Sequence, residues 1–365
     1  MAHRRRALEG LGGLSTPLHE VALLRLVAQR VAGARCAGAV EAVRLLTAVQ
    51  AQDLPGALTS VALRTRRRSR ADVEQALAHG EVVRSWPMRG TLHLVVAQDL
   101  HWMLELLAPR VVDGRRLRWT QLGLTDDAAE RAREVAVQAL AGRQLTRAEL
   151  MESWEQGGVD TGGQRGYHLI GHLAMTGTLC LGPLRGKEQL LVLLDEWVPR
   201  PRVLDREAAL AEVAERYFRS HGPATLQDLA RWTGLKVVDA RAGLEAARPR
   251  LATLDLGGVE HLMDPGTPEL LAACRHEARG VHLLPGFDEI VLGYGDRSAV
   301  LAPEHADRIV PGGNGVFRPT VVSDGRIVAT WSRGRRKGMA AVVQPFDDLA
   351  PGVAETAEGL VEELP

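Results

Sequence analysis

The chain has 365 residues, 45% of them apolar and 25% charged, with 45 basic and 45 acidic side chains that cancel at neutral pH. This composition excludes disorder over most of the chain, leaves room for two or three domains, and argues against a generic nucleic-acid coat protein. No apolar run approaches the roughly 18 residues that span a bilayer. The basic N-terminus leads into a Gly-rich stretch with Glu9 rather than a signal core, and Cys36, Cys180 and Cys274 form no CxxC pair. A reduced, cytoplasmic protein without membrane attachment is expected.

The charge is unevenly spread. Residues 1–118 hold 18 Arg against 10 acidic side chains, whereas beyond Lys337 there are six acidic residues and no basic one. A neutral chain can thus present one basic face. Apart from Lys187, Lys236 and Lys337 the basic residues are all Arg. Arg suits bidentate phosphate contacts, although codon bias in a GC-rich genome is the preferred reading of the ratio and leaves the asymmetry unexplained.

In chain order, residues 1–15 read as a disordered basic arm. Val21, Leu24, Val27, Ala28 and Val31 have helical spacing, closed by Gly33. Val40, Val43, Leu46 and Val49 continue the pattern, and Pro55 stops it, with Gln50 in the last helical turn. A unit then recurs. Ser69 caps a helix over Arg70 to Ala78, followed by strands around Val82 to Trp86 and Thr91 to Val96. Thr146-Arg-Ala-Glu149 is a capping box; a second helix around Gln164 to Thr176 and strands at Leu179 to Leu181 and Leu190 to Leu193 complete a second copy. A third starts at Thr225, turns at Gly234, continues in a helix over Val237 to Ala247, and closes with strands Leu251 to Leu256 and Val259 to Met263 around Gly257-Gly258. Helix, turn, helix and two-stranded wing is the winged-helix arrangement, which serves in DNA binding and also as a spacer or protein-contact module. The last hundred residues read as strands: Val281 to Pro285, Ile290 to Leu292, Val316 to Val322, Arg326 to Trp331 and Met339 to Val343, with Asp324-Gly325 as a type I′ turn.

No nucleotide-binding glycine motif or GxSxG is present. His168 and His172, at i and i+4, make half a metal site without a third ligand, so helix-face packing is the preferred reading and no metal or cofactor is expected. Trp86 and Trp331 read as core. Three segments carry chemistry-bearing residues: Gln50-Ala51-Gln52-Asp53; Arg84-Ser-Trp86-Pro-Met-Arg89-Gly-Thr-Leu-His93; and the C-terminal blocks containing Pro285-Gly-Phe-Asp288-Glu289, Gly313-Asn-Gly-Val-Phe-Arg318-Pro and Arg333-Gly-Arg335-Arg336-Lys337. Two glutamines two residues apart point together only where the chain extends; taken alone they are a polar helix exit. The basic run at a hairpin tip is either a solvated tip or a finger toward a phosphate backbone or minor groove.

The Gln-apolar-Gln motif, the Trp-x-Met-Arg-Gly-Thr-x-His segment, the Pro-x-Phe-Asp-Glu stretch and the Gly-Asn-Gly-Val-Phe-Arg-Pro block resemble the AlkZ-like family of bacterial winged-helix DNA glycosylases, over about residues 18–349. The resemblance implies an α+β, mainly helical fold of tandem winged helices forming a C-shaped scaffold with a C-terminal β-barrel-like domain. The expected segments are 1–15 (arm), 16–145 (winged-helix region carrying the glutamines), 146–200 and 201–275 (second and third winged helices), 276–349 (β-domain) and 350–365 (acidic tail). It implies a monomeric enzyme acting on double-stranded DNA that excises N7-alkylated guanine. Interstrand crosslinks of azinomycin-type natural products are included, which would confer self-resistance by repair. It assigns catalysis to Gln50 and Gln52. DNA contacts are expected from Arg333, Arg335, Arg336, Lys337, Arg89 and Arg318, with Asp53, Trp86, His93 and Asp288 as further lining residues.

Neutral catalytic side chains suit this chemistry. N7-alkylguanine is cationic and leaves as a neutral base, so no general acid is required. An amide supplies an acceptor and a donor, enough to orient water and face an oxocarbenium-like sugar. A helix C-terminus at the site would add negative potential. Asp53 reads as a solvated helix-end carboxylate, with partnership to the glutamines as the alternative. The competing functions are a winged-helix transcriptional regulator without enzymatic activity and a non-DNA-binding scaffold.

Overall fold

A computed structural model describes residues 18–333 and 342–365. They form a mixed α/β fold richer in helix than in strand, divided into two compact units: residues 18–70 with 210–333 and 342–365, and residues 71–209. The second unit is therefore an insertion in the sequence of the first.

The first unit opens with α1 (Leu18–Ala28), in which every residue from Val21 to Ala28 is buried, Arg25 included. The helix stops short of the expected Gly33, and Arg30 already has φ 58°. The next helix, α2 (Ala39–Leu46), ends earlier than the apolar spacing suggests, because Thr47 adopts a left-handed φ of 69°. The chain then runs extended through β1 (Val49–Gln50) and enters α3 (Leu54–Leu63), with Asp53 at its N-cap and Pro55 in its first turn. This corrects two expectations. Gln50 is extended, not helical, and Pro55 starts a helix, where its missing N–H has no intrahelical acceptor to lose.

The second unit carries α4 (Arg70–Ala78), β2 (Val82–Met88) and β3 (Thr91–Val96). Four helices follow that were not among the expected elements: α5 (Leu100–Leu107), α6 (Pro109–Gly114), α7 (Arg116–Gln121) and α8 (Asp126–Leu140). Then come α9 (Arg147–Gln156), α10 (Arg165–Met175), β4 (Leu179–Arg185), β5 (Glu188–Leu193) and the single-turn α11 (Leu194–Trp197). The expected capping box starts α9: Glu149 N–H donates to Thr146 Oγ1 at 3.1 Å, and Thr146 N–H to Glu149 Oε2 at 2.6 Å. Strands β3, β2, β4 and β5 pair antiparallel in that order. Trp102 and Trp154 are fully buried in this unit, their indole N–H groups satisfied by Asp99 Oδ1 and the Ala132 carbonyl.

The chain re-enters the first unit along α12 (Arg206–His221), followed by α13 (Leu226–Thr233), α14 (Val237–Ala247) and the hairpin β6 (Ala252–Leu256) and β7 (Val259–Met263). A capping box between Thr225 and Asp228 begins α13, and Gly234 at φ 76° ends it. After α15 (Thr267–Ala278) comes β8 (Val281–Leu284). The apolar run Ile290 to Leu292, expected as a strand, is instead the helical turn α16 (Glu289–Leu292), because Asp288 caps it by accepting from Ile290 N–H at 3.1 Å. A short apolar run cannot by its spacing distinguish a buried strand from a buried helical turn. Next are α17 (Ala306–Ile309), β9 (Thr320–Ser323), β10 (Arg326–Ser332), β11 (Val342–Pro345) and α18 (Val353–Glu362). The order β11-β10-β9-β8 is an antiparallel sheet, and among the described residues these strands close no barrel. The acidic segment 350–365 carries α18, whose Ala357 and Val361 pack with Leu283, Val321 and Trp331.

Two-residue turns with both φ positive join β2 to β3 (Arg89-Gly90), β6 to β7 (Gly257-Gly258) and β9 to β10 (Asp324-Gly325). These are the type I′ turns that match strand twist.

Burial holds the imidazoles of His172, His261 and His282 below their ordinary value, and hydrogen bonds from Arg275 and Arg279 hold Glu20 and Asp324 below the usual carboxylate range. Both classes make the unfolded chain bind protons first on acidification. The histidine contribution is lost as pH falls below about 6.5, and the carboxylate contribution as it falls below about 4. Urea midpoints are therefore expected to fall from about pH 7.5 to 5.5 and again toward about pH 4; a profile flat down to about pH 5.5 would contradict the buried-imidazole account.

Candidate active site

The Gln50–Asp53 segment lies between the C-terminus of α2 and the N-terminus of α3. Ala51 is fully buried, Gln50 half-buried, and Gln52 and Asp53 exposed. Only Val49 and Gln50 are strand; Ala51 follows as a buried residue, and Gln52 and Asp53 lie in the bend that leads into α3. The helix end that follows Gln52 is an N-terminus, whose partial charge is positive. That sign is opposite to the one favouring a sugar cation. Asp53 stands at this end, and a Cβ on Gly56 would lie 2.6 Å from its Oδ2, so the carboxylate folds back over the first turn of α3. Its negative charge counters the helix end at the position beside Gln52.

Beneath the segment lies a buried polar network. Arg64, directly after α3, is fully buried and forms a two-point ion pair with Asp288, at 2.8 Å to Oδ2 and 2.9 Å to Oδ1. Ser60 Oγ donates to the same Oδ2 at 2.7 Å. Arg64 also donates from Nε to the Gln29 carbonyl and from Nη2 to Gln29 Oε1, while Gln29 Nε2 donates to Tyr294 Oη, which donates to the His221 carbonyl. Burial opposes the Arg64 charge, but Asp288 outweighs it and lifts the guanidinium above its ordinary value. Arg25, whose guanidinium lies 3.6 Å from the Tyr294 ring centroid, donates to the Pro223 carbonyl.

Glu289 is also fully buried. Its Oε1 accepts the backbone N–H of Gln50 at 3.2 Å, its Oε2 accepts the indole N–H of Trp232 at 3.0 Å, and His221 Nε2 lies 3.4 Å from Oε2.

The loop carrying these acids passes tightly between its neighbours. A Cβ on Gly286 would lie 2.5 Å from the Phe317 carbonyl, Phe287 takes φ 61°, and its ring stands 5.8 Å from that of Phe317. The Pro-Gly-Phe-Asp-Glu and Gly-Asn-Gly-Val-Phe-Arg-Pro blocks are thus packed together, backbone against backbone, and the first is bonded to both α3 and β1.

The other expected site residues divide between the units. Asp288 is 1% exposed, held in its ion pair rather than on an open surface. Arg318 is exposed on the loop after Phe317, and Arg333 is exposed just beyond β10; Arg335, Arg336 and Lys337 lie outside the described residues. Trp86, Arg89 and His93 belong to the second unit, with Trp86 and His93 buried. There the Arg-Gly-Thr-x-His pattern is hairpin architecture: His93 Nδ1–H donates to the Thr91 carbonyl at 2.9 Å, leaving Nε2 to accept from Arg89 Nη2 at 3.1 Å. The His172 ring packs 4.6 Å from Trp119, and among the described residues no group of three or more His, Cys, Asp or Glu is placed to hold a metal.

Comparison with known proteins matches residues 43–364 to the AlkZ-like DNA glycosylase family. The chain belongs to that family. It is similar to a curated Streptomyces sahachiroi protein named an interstrand DNA cross-link repair glycosylase, 30% identical over 332 residues and 85% of each chain. Its fold resembles the solved structure of the Streptomyces sahachiroi DNA glycosylase AlkZ, with a TM-score of 0.79, 27% identity and 95% of each chain covered. Membership in a glycosylase family gives the regulator reading no support.

The sequence did not reveal the roles of Gln29, Ser60, Arg64, Glu289, His221, Trp232 or Tyr294 beneath the glycosylase's glutamine segment. The usable signal was the pairing of adjacent acids, Asp288-Glu289, in an otherwise apolar stretch. Removing one partner of a buried ion pair strands the other charge. Asp288→Asn is expected to lower unfolding free energy by about 3–5 kcal/mol, and the double variant Arg64→Met, Asp288→Leu to recover much of the loss. Urea denaturation of the two variants measures both.

Proposed function

We propose that this glycosylase hydrolyses the N-glycosidic bond of N7-alkylguanine in double-stranded DNA, including guanine held in an interstrand crosslink of azinomycin type, with Gln50 and Gln52 as the catalytic pair. What supports the reading is the Gln50–Asp53 segment, with Gln52 exposed and Gln50 half-buried, braced by buried acids, in a chain of this family whose relative is named a cross-link repair glycosylase. The cationic base needs no proton to depart. One glutamine orients the attacking water through its amide; the carbonyl oxygen of the other faces the cationic sugar. Asp53 offsets the positive end of α3 and keeps the local potential favourable to that cation. The enzyme acts monofunctionally, by water attack, and as a monomer.

In this reading α9, α10 and β4–β5 form one winged helix and α13, α14 and β6–β7 another. Arg318 and Arg333, exposed in the first unit, contact phosphates, with Arg335, Arg336 and Lys337 continuing the basic run.

The test is release of 7-methylguanine from duplex DNA. Gln50→Ala and Gln52→Ala should each lower the single-turnover rate by roughly 100-fold while DNA affinity stays within about twofold. Full activity in both variants rejects the assignment. Asp53→Asn should slow excision by a smaller factor, roughly tenfold, through loss of the offsetting charge. Borohydride added during turnover should trap no protein–DNA adduct; a stable adduct would replace water attack with an amine nucleophile.

A further inference from the structure

The buried pair Asp288-Glu289 is bonded to both sides of the glutamine segment. Glu289 Oε1 receives the Gln50 N–H in β1, before Gln52, while Asp288 receives Ser60 in α3 and Arg64 just beyond it, after Gln52. The same dipeptide reaches a third element, because Glu289 Oε2 receives the Trp232 indole of α13. From these contacts we infer that Glu289 is a positioning residue for catalysis: its carboxylate fixes the peptide plane entering Gln50, and so the direction in which the Gln50 amide meets the water and the sugar. The inference rests on the reading of Gln50 and Gln52 as the catalytic pair and goes beyond it by naming the group that sets their geometry.

The chemistry of the contact demands a carboxylate. Gln50 N–H and Trp232 Nε1–H approach different oxygens of Glu289, at 3.2 and 3.0 Å, and His221 Nε2 lies near the second. An ionised carboxylate offers acceptors on both oxygens. An amide offers one acceptor and one NH2, so a glutamine here must turn its NH2 toward one of two donors. With Glu289 fully buried, the peptide or the amide has to shift to relieve that clash. Ala51, buried at 0% exposure directly after β1, holds the residue that follows Gln50, so the shift is taken up as a rotation of the Gln50 side chain. A displacement of about 1 Å at a reacting group is enough to slow chemistry by roughly 100-fold.

Glu289→Gln tests this, with three readouts on the full chain: single-turnover release of 7-methylguanine, affinity for the same duplex, and amide hydrogen exchange of the peptide spanning Gln50. The expected result is a rate lower by roughly 10- to 100-fold, affinity within about twofold of the parent, and faster exchange confined to that peptide and its neighbours. An unchanged rate overturns the inference. So does a slowed rate with exchange around Gln50 unaltered, since the carboxylate would then act by another route. Gln50→Ala is run alongside. If it excises at the parent rate, the catalytic assignment itself fails, and that outcome is separate from an unchanged Glu289→Gln rate beside an impaired Gln50→Ala. Should Glu289→Gln not fold, Trp232→Phe removes the N–H that anchors Oε2 and leaves the carboxylate in place. It is expected to produce the same signature at smaller amplitude, and a parent-like rate with parent-like exchange overturns the inference.

Discussion

The first unit depends on a charge taken out of water. Arg64 and Asp288 are both closed to solvent and face each other in two-point geometry, with further bonds from Ser60 and to Gln29. A buried pair of this kind is weak evidence of extra stability over an apolar core, but it tolerates few alternative arrangements. Its geometry sets where α3 lies against the loop at residues 285–288, and α3 begins two residues after the outer glutamine. The neighbouring acid extends the same constraint to β1. The network therefore specifies a conformation of the glutamine segment that apolar packing alone would leave loose.

Strain near the site fits this picture. Phe287 is held at φ 61°, and Thr47 leaves α2 at φ 69°, both unfavourable for side chains with a Cβ. Such conformations persist where surrounding bonds over-determine them. Here one precedes the glutamine segment and the other precedes the acids that brace it.

Elements with a local signature were legible in the sequence. Capping residues at Thr146, paired turn residues at Gly257-Gly258 and Asp324-Gly325, and alternating strands around Thr91 to Val96 report on neighbours a few residues away, and the structure has them where expected. Family-level motifs located the glutamine segment and the Asp-Glu stretch. Less legible were features decided by distant parts of the chain. The end of α2 depends on the left-handed Thr47, which no pattern announced. The run Ile290 to Leu292 became a helical turn because Asp288 caps it. Arg64 reads as one more arginine in an Arg-rich stretch; only its partner 224 residues away makes it the centre of the unit. Helices between residues 100 and 140 were not among the expected elements, although Ala129, Ala132, Val135, Ala136 and Leu140 bury one face of α8 at helical spacing and Thr125 caps it.

The first unit is discontinuous, built from residues before position 71 and after position 209, and the acceptor for the Gln50 N–H lies 239 residues downstream. During translation both glutamines leave the ribosome long before the acid that accepts the Gln50 N–H. A nascent or prematurely terminated polypeptide thus carries the glutamine segment without its brace. Incomplete synthesis therefore leaves the first unit without the partners of Arg64 and of the Gln50 N–H, which exist only once residues 288 and 289 have been made.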